Sequence, residues 1–511
     1  MTLIILNFGG QFTHLIARRL RDSGVYAEIL PADSSSQLIL SYHPTGIILS
    51  GGPSSVYEQN APMCLPEIFQ LNIPILGICY GMQITSYLLG GKVVPNEHKE
   101  FGKTELKLTK QSTLFEGLDS FQIVWFSHGD SVEKIPEGFE VTSNSPTCPI
   151  ASMENTNSKI YSVQFHPEVV HTQNGTKILE NFALKVCQEK GDWKATEQIP
   201  TILAEISNQV KDSQVIMGIS GGVDSLVAAT LIEKAIGTKL HCVFINTGLL
   251  RKNEVEEVSS HLQQRGFSNL HVIDSSKLFL EKLSGVTDPE QKRKIIGHTF
   301  VEVFQNTAKE LNQHNQIEFL GQGTIYPDRI ESAQPTKYAS KIKSHHNLTL
   351  PEDMKLKVIE PLKEFYKDEV RLLGERLEIP HNLLYRHPFP GPGLAIRILG
   401  EIDSQKISIL QQADAIFIEV LRDNNYYDST WQAFAALFPI KSVGVMGDSR
   451  TYEYIISLRA VNSVDGMTAD WSKIPYDILE KASSRIVNEV RGVNRVVYDI
   501  TQKPPGTIEY L

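Results

Sequence analysis

In the stretch "ILGICYGMQI", residues 75–84, one cysteine stands between glycines directly behind an apolar run. A thiol attacks carbon as its thiolate, and a strand-to-helix turn favours that form. The helix N-terminus lowers the thiol pKa, and the next backbone N–H, from Tyr80, points to where an oxyanion would form. Read alone, Cys79 is more simply a small buried core residue, a common fate of free cysteine. A second stretch, "SVQFHPEV", changes that balance by setting His166 and Glu168 at the end of another apolar run. The imidazole can take the thiol proton, and the carboxylate can hold its tautomer and stabilise the imidazolium. Residues two apart on a strand face the same side, although Pro167 is placed to end the strand between them. Upstream, "SGGPSS" at 50–55 offers glycine amides suited to an oxyanion hole.

A different chemistry is written in "SGGVDS", Ser220–Ser225. It follows the strand-like "VIMGI" and opens a helix. Its glycine amides therefore make an anion nest at a helix N-terminus, with the Ser220 and Ser225 hydroxyls as further donors. A bare SGG would be a plain turn. The full string in strand–turn–helix context points to pyrophosphate, and the G-K-[ST] ending of a Walker A loop is absent.

These turns need strands that end at them and helices that begin there. Up to about residue 190, apolar runs such as "LIILNF", "GIILSGGP", "IPILGICYG" and "IYSVQFHPE" alternate with amphipathic stretches, the pattern of an α/β domain. The polar "CQEKGDWKATEQIP" marks a boundary. A second α/β pattern then runs from "QVIMGISGGVDSLVAATLIEKAIG" to the Pro/Gly-rich break "RHPFPGPGL". The remainder mixes helical stretches such as "ISILQQADAIFIEVLRD" with strands such as "YEYIISLRAV", an α+β module. The expected domains are 2–192, 193–386 and 387–511.

At 511 residues the chain exceeds one ordinary core. A hydrophobic share of 41% and a charged share of 21% describe a soluble globular protein. The net charge of −10 gives no support for binding nucleic acid or a membrane surface, so anionic ligands must be met by local amides and a few cations. The opening "MTLIILNFGGQF" lacks a basic n-region and reads as a first strand rather than a signal peptide. No run approaches the roughly 20 apolar residues that span a bilayer. Cys64, Cys79, Cys148, Cys187 and Cys242 form no CxxC pair, which argues against disulfides and zinc and for a reducing, cytoplasmic setting.

Taken together, "LSGGP", "GICYGMQ" and "QFHPE" resemble, in order and approximate spacing, the motifs of class I, triad-type glutamine amidotransferases. The resemblance implies that Cys79 attacks the side-chain amide of glutamine and that His166, backed by Glu168, protonates the departing ammonia. It assigns the oxyanion hole to the amides of Gly52 and Tyr80. It assigns glutamine binding to Gln83 and to Ser127, His128, Gly129 and Asp130 of "WFSHGD". "SGGVDS" resembles the PP-loop of ATP pyrophosphatases, a Rossmann-like fold of the adenine nucleotide alpha hydrolase type. ATP would then be held by Ser220, Gly221, Gly222, Val223, Asp224 and Ser225 and cleaved between its α- and β-phosphates.

The strings "GLLRKNE", "GQGTIYPD", "KSHHN", "RHPFPGPGLAIRILGE", "AVNSVDGMTADW" and "KPPGTIEY" are similar to those of the GMP synthetase family. This implies that ATP adenylates O2 of xanthosine 5′-monophosphate (XMP) and that ammonia displaces AMP to give GMP. It further implies Mg²⁺ with ATP and no tightly bound organic cofactor. The implied partners are glutamine, ATP and XMP, with neither nucleic acid nor membrane, and a homodimer formed through a C-terminal dimerisation domain. Arg251 and Lys503 are the candidates for the xanthosine nucleotide, and Glu509 for hydrogen bonds from its purine or ribose. Lys343 and Arg386 are further candidate cations. Asp224 and Asp328 are candidate Mg²⁺-side carboxylates, with Asp224 alternatively a brace for the loop. "KIKSHHN" would be a lid over ATP. The chain departs from the family at "FINTGLLR", where Asn246 and Thr247 replace an Asp-Asn pair. Two other readings compete. One is a glutamine-dependent NAD synthetase, which usually carries a different glutaminase. The other is a nucleotide sensor or scaffold with an inactive amidotransferase, against which the intact Cys79, His166 and Glu168 argue.

Overall fold

A computed structural model describes residues 2–313, 315–333, 356–446, 449–463 and 468–511. The expected lid and Lys343 lie outside the described residues. The chain divides into two compact units. The first is Met1–Glu197 with a short piece from Ile330, and the second is Gln198–Arg329 with residues that follow to Leu511.

The first unit is built on a nine-stranded sheet. Its strands are β1 (Thr2–Asn7), β2 (Ala27–Pro31), β3 (Pro44–Leu49), β4 (Ile75–Ile78), β5 (Lys92–Leu108), β6 (Phe121–Lys134), β7 (Glu140–Asn144), β8 (Ser152–Asn155) and β9 (Ile160–Val163), in the order β2-β1-β3-β4-β9-β8-β7-β5-β6. From β2 to β9 the neighbours are parallel, and beyond β9 they are antiparallel. The parallel strands are the continuous apolar runs of the sequence because both of their faces are covered: Leu3–Leu6, Ile47–Leu49 and Ile75–Ile78 are all buried. Ligands of such sheets gather at the carboxyl ends of the strands. Here β3, β4 and β9 are neighbours, and "SGGP", Cys79 and "QFHPE" follow their respective ends.

The second unit contains a five-stranded parallel sheet of β10 (Gln214–Ile219), β11 (Leu240–Asn246), β12 (Leu270–Asp274), β13 (Ile317–Gly321) and β14 (Lys357–Ile359). Its order is β12-β11-β10-β13-β14. The direction of winding reverses between β10 and β13, which makes that crevice the topological switch point of a Rossmann-like sheet. "SGGVDS" leaves β10 and "QGTIYPD" leaves β13, one on each side of it.

A third sheet pairs β15 (Gln432–Met446) with β16 (Ser449–Asn462), which also pairs β17 (Asp470–Trp471) and β18 (Val493–Asp499). Helices Ser404–Asp423 and Tyr476–Glu489 complete this α+β part. The break "RHPFPGPGL" does not separate two cores. Ile216 and Val243 of the parallel sheet, Phe304, Leu394, Leu410, Phe417, Ala435 and Ile456 belong to one apolar cluster. Leu394 N–H donates to Leu249 O at 2.8 Å, so the Pro/Gly turn docks on the turn after β11. Gly393, with φ +62°, is needed there because a Cβ would stand 2.3 Å from Leu249 O.

Candidate functional site

Cys79 takes φ +52° and ψ −105° between β4 and the helix Tyr80–Leu88. Non-glycine residues adopt such a conformation only where the surroundings impose it. Cys79 N–H donates to Val163 O at 2.8 Å, while Cys79 O accepts from Met82 and Gln83 N–H at 3.0 and 3.2 Å. The flanking glycines are points of close approach. A Cβ on Gly81 would lie 2.2 Å from Leu49 O, and one on Gly77 would lie 2.7 Å from Gly81 O. They let helix and strands pass close enough to hold the cysteine in its strained turn.

His166 Nδ1 donates to Glu168 Oε1 at 2.7 Å, with both side chains buried. Strand alternation does not make this pair. β9 ends at Val163, and the two residues meet across the turn at Pro167. Burial acts to lower the imidazole's pKa, but the Glu168 carboxylate and the nearby Cys79 sulfur hold it well above its ordinary value. Protonated His166 is therefore a stable neighbour for a thiolate. Thr172 braces the ring's backbone, its Oγ1 donating to His166 O at 2.5 Å.

The glycine loop after β3 reaches the same place. A Cβ on Gly51 would stand 3.0 Å from His166 Cε1 and 3.8 Å from Cys79 Cβ, and one on Gly52 would stand 3.0 Å from Tyr80 Cδ1. On the other side, Ser127 O lies 3.7 Å from Cys79 Sγ. Gln83 Nε2 donates to Asp130 O at 2.8 Å, which fixes β6 to the elbow helix. His128 faces Glu100 Oε2 at 3.1 Å and Asp130 O at 3.0 Å. Its burial holds its pKa low despite Glu100. Ser127 thus presents its carbonyl to the sulfur, while His128 braces the strand. Sequence reasoning passed over Gln164, fully buried with its amide 3.8 Å from Cys79 Sγ. The signal was its place in "QFHPE". Gly51, packed against His166 and Cys79 beside Gly52, drew no separate assignment, and Glu100, far off in sequence, carried no signal.

In the second unit, Gly221 has φ +75° and Gly222 caps the helix Val223–Ile236. Ser225 Oγ donates to Gly222 O at 3.0 Å and lies 3.2 Å from Ser220 Oγ. Ser220 N–H donates to Ser225 Oγ at 3.4 Å and Gly222 N–H to Ser220 Oγ at 3.3 Å, so the two hydroxyls tie the loop together. A Cβ on Gly323 would sit 3.1 Å from Ser225 N, so "GQGTIYPD" lies directly against the nest. Arg386 donates to Gly221 O at 3.3 Å and to Glu254 Oε1 at 2.6 Å. Asp224 Oδ2 accepts from Lys367 Nζ at 2.9 Å, while its buried Oδ1 has no hydrogen-bond partner. An unpartnered buried carboxylate oxygen beside a phosphate nest suits a Mg²⁺ that keeps few protein ligands. Asp328 lies at the start of the helix Tyr326–Ala333, where its Oδ2 accepts from Ile325 N–H at 3.4 Å. Among the described residues, no group of three His, Cys, Asp or Glu could hold a metal alone.

Asn246 Oδ1 accepts from Gly248 N–H at 2.9 Å, as an aspartate would. Asp274 Oδ1 stands 3.2 Å from its amide nitrogen, so a carboxylate persists at this turn.

Two of the candidate nucleotide residues, Arg251 and Glu509, are linked through Asp414 and Arg397. Arg251 Cζ stacks 4.5 Å from the Phe389 ring centre, and its Nε lies 4.0 Å from Asp414 Oδ2. Burial lowers its pKa, with Asp414 opposing. The fully buried Arg397 donates to both oxygens of Glu509, at 3.1 and 2.8 Å, and Gln432 Nε2 donates to Oε1 at 2.7 Å. Glu509 is thus firmly oriented, and any purine hydrogen bond adds to these. Lys503 pairs with Ala469 in an antiparallel bridge.

Three family models match in chain order: "Glutamine amidotransferase class-I" over residues 4–186, "NAD synthase" over 195–284 and "GMP synthase C terminal domain" over 419–510. A GMP synthase [glutamine-hydrolyzing] of Carboxydothermus hydrogenoformans is 55% identical over 99% of this chain and 99% of its own. One from Thermosipho melanesiensis is 54% identical over 100% and 99%, and one from Aquifex aeolicus is 53% identical over 99% of each.

Proposed function

The chain belongs to the family of glutamine-hydrolysing GMP synthases, and from that premise we propose how its two centres divide the work. The observation that carries the reading is the coexistence in one chain of a thiol elbow paired with a buried imidazole–carboxylate and an open phosphate nest. The chain is a ligase that takes its amide nitrogen from glutamine.

Cys79 thiolate attacks the glutamine side-chain carbonyl, and the tetrahedral oxyanion is met by the amides of Gly52 and Tyr80. His166 gives its proton to the leaving ammonia, and water then cleaves the glutamyl thioester to glutamate. Gln83 and residues Ser127–Asp130 hold the glutamine. At the other centre, Ser220–Ser225 hold the ATP phosphates while O2 of XMP attacks the α-phosphorus and pyrophosphate leaves. Ammonia adds to the activated carbon and AMP departs, leaving GMP. Mg²⁺ on the ATP phosphates would neutralise their charge, with Asp224 and Asp328 as its protein-side carboxylates. Arg251, Lys503 and Glu509 take the xanthosine nucleotide. The functional segments 2–192, 193–386 and 387–511 follow this division.

Loss of XMP absorbance with ATP, Mg²⁺ and glutamine tests the reading. Binding of all three without turnover would instead identify a sensor.

Glu168→Gln should lower glutaminase kcat/KM on the order of 10²-fold. It should also move the alkaline limb of the pH profile downward. The sign follows from the raised imidazole: its charge stabilises the site fully below the ordinary histidine value and is lost as pH rises through the elevated one. Removing the carboxylate removes a main cause of that elevation. An unmoved limb would deny Glu168 this role.

No helix among the described residues is long and apolar enough to cross a membrane. Five free thiols suit a reducing cytoplasm. The C-terminal hairpin also has an exposed apolar end, with Val443 opposite Tyr452 and Val445 two residues on. Such a patch fits a homodimer contact. Val445→Glu combined with Tyr452→Glu should halve the mass measured by light scattering, and an unchanged mass would exclude this face.

A further inference from the structure

Arg459 lies on β16 with 1% of its surface exposed, and its guanidinium is engaged by two short pieces of chain. Nη1 meets Asp499 Oδ2 at 2.8 Å and Thr501 O at 3.0 Å, while Nη2 donates to Thr507 O at 2.7 Å and Nε to Ile508 O at 2.8 Å. The first two acceptors stand where the chain enters the loop 502–506, and the last two where it leaves. One planar group therefore closes the base of that loop. Tyr510 reinforces the closure, its hydroxyl donating to Asp499 Oδ2 at 2.8 Å. At the loop itself, Lys503 N–H donates to Ala469 O at 2.8 Å and Lys503 O accepts from Ala469 N–H at 3.0 Å. The backbone from which the Lys503 side chain sets out is thus fixed from below and from one side.

We infer that Arg459 is a positioning residue for the xanthosine nucleotide, acting by closing the loop that presents Lys503. The inference rests on the reading of Lys503 as a nucleotide ligand. An arginine is required because its rigid fork of five donors spans acceptors on both limbs of the loop. A lysine ammonium donates from a single point and can hold one limb well, not both.

The test uses the full-length enzyme with ammonium as nitrogen source, comparing KM for XMP and for ATP. Arg459→Lys keeps the buried charge and should raise the XMP KM about tenfold or more, leaving the ATP KM within about twofold. Added to Lys503→Ala, it should have an effect of no more than about twofold, because the loop then has no ligand to present and Glu509 beyond it is held separately by Arg397 and Gln432. An XMP KM unchanged in Arg459→Lys, equal rises in both KM values, or fully multiplicative effects in the double variant would each overturn the inference. The reading of Lys503 would survive these results if Lys503→Ala alone raises the XMP KM. If Lys503→Ala leaves it unchanged, that reading fails and the inference falls with it. Should Arg459→Lys not fold, Asp499→Asn weakens one contact of the four and should shift the XMP KM in the same selective way.

Discussion

Cys79→Ala should abolish GMP formation from glutamine, by on the order of 10⁴-fold or more, while formation from ammonium salt stays within about twofold. The size of the loss follows from the reaction. Without sulfur there is no thioester, and the Ser127 carbonyl and the Gln164 amide beside it are not nucleophiles at neutral pH. Ammonium salt supplies the nitrogen directly, so the phosphate nest has no need of the elbow. Alanine is the appropriate replacement because it keeps the Cβ, and with it the backbone at φ +52°. Glycine would relax that turn and alter the oxyanion amides as well as the nucleophile. The measurement is GMP formed from each nitrogen source, with circular dichroism to show that the variant is folded. Failure with both sources in a folded variant would refute the division of labour between the two centres.

The elbow, the glycine loop and the phosphate nest were legible because each is a strand, a turn and a helix within some ten residues, and such units declare themselves through local periodicity. What was not legible depends on partners far away in sequence. Lys367 reaches Asp224 across 143 positions, and Arg397 reaches Glu509 across 112. No local pattern marks either pair. His166 and Glu168 were legible as a pair but not in their geometry: the strand ends before them, and a turn joins them. The role of Gly77 and Gly81 was likewise hidden. It lies in the carbonyls of Gly81 and Leu49 pressing against them, a close approach that only three-dimensional packing reveals. "RHPFPGPGL" read as a break because proline and glycine interrupt both periodicities. In the fold those residues make a tight turn seated in a shared core.

Asp224→Ala should lose GMP synthesis from glutamine and from ammonium alike, by at least about 10²-fold, because it alters the step both sources share. Its two oxygens offer two reasons, which further variants separate. Oδ2 is paired with Lys367, a partly exposed contact worth no more than about 1 kcal/mol, so the fold should survive its removal. Oδ1 is buried without a partner and suits Mg²⁺. Asp224→Asn retains an oxygen for Lys367 but removes the charge. If the aspartate only braces the loop, Asn should restore most of the activity that Ala loses, and Lys367→Met should be as harmful as Asp224→Ala. If it supports the metal, Asn should remain as slow as Ala and require more Mg²⁺ for half-maximal rate, while Lys367→Met stays active. The readout is pyrophosphate released from ATP in the presence of XMP, measured across a Mg²⁺ titration without any nitrogen source. A folded Asp224→Ala variant that still releases pyrophosphate at the native rate would remove Asp224 from the adenylation step altogether.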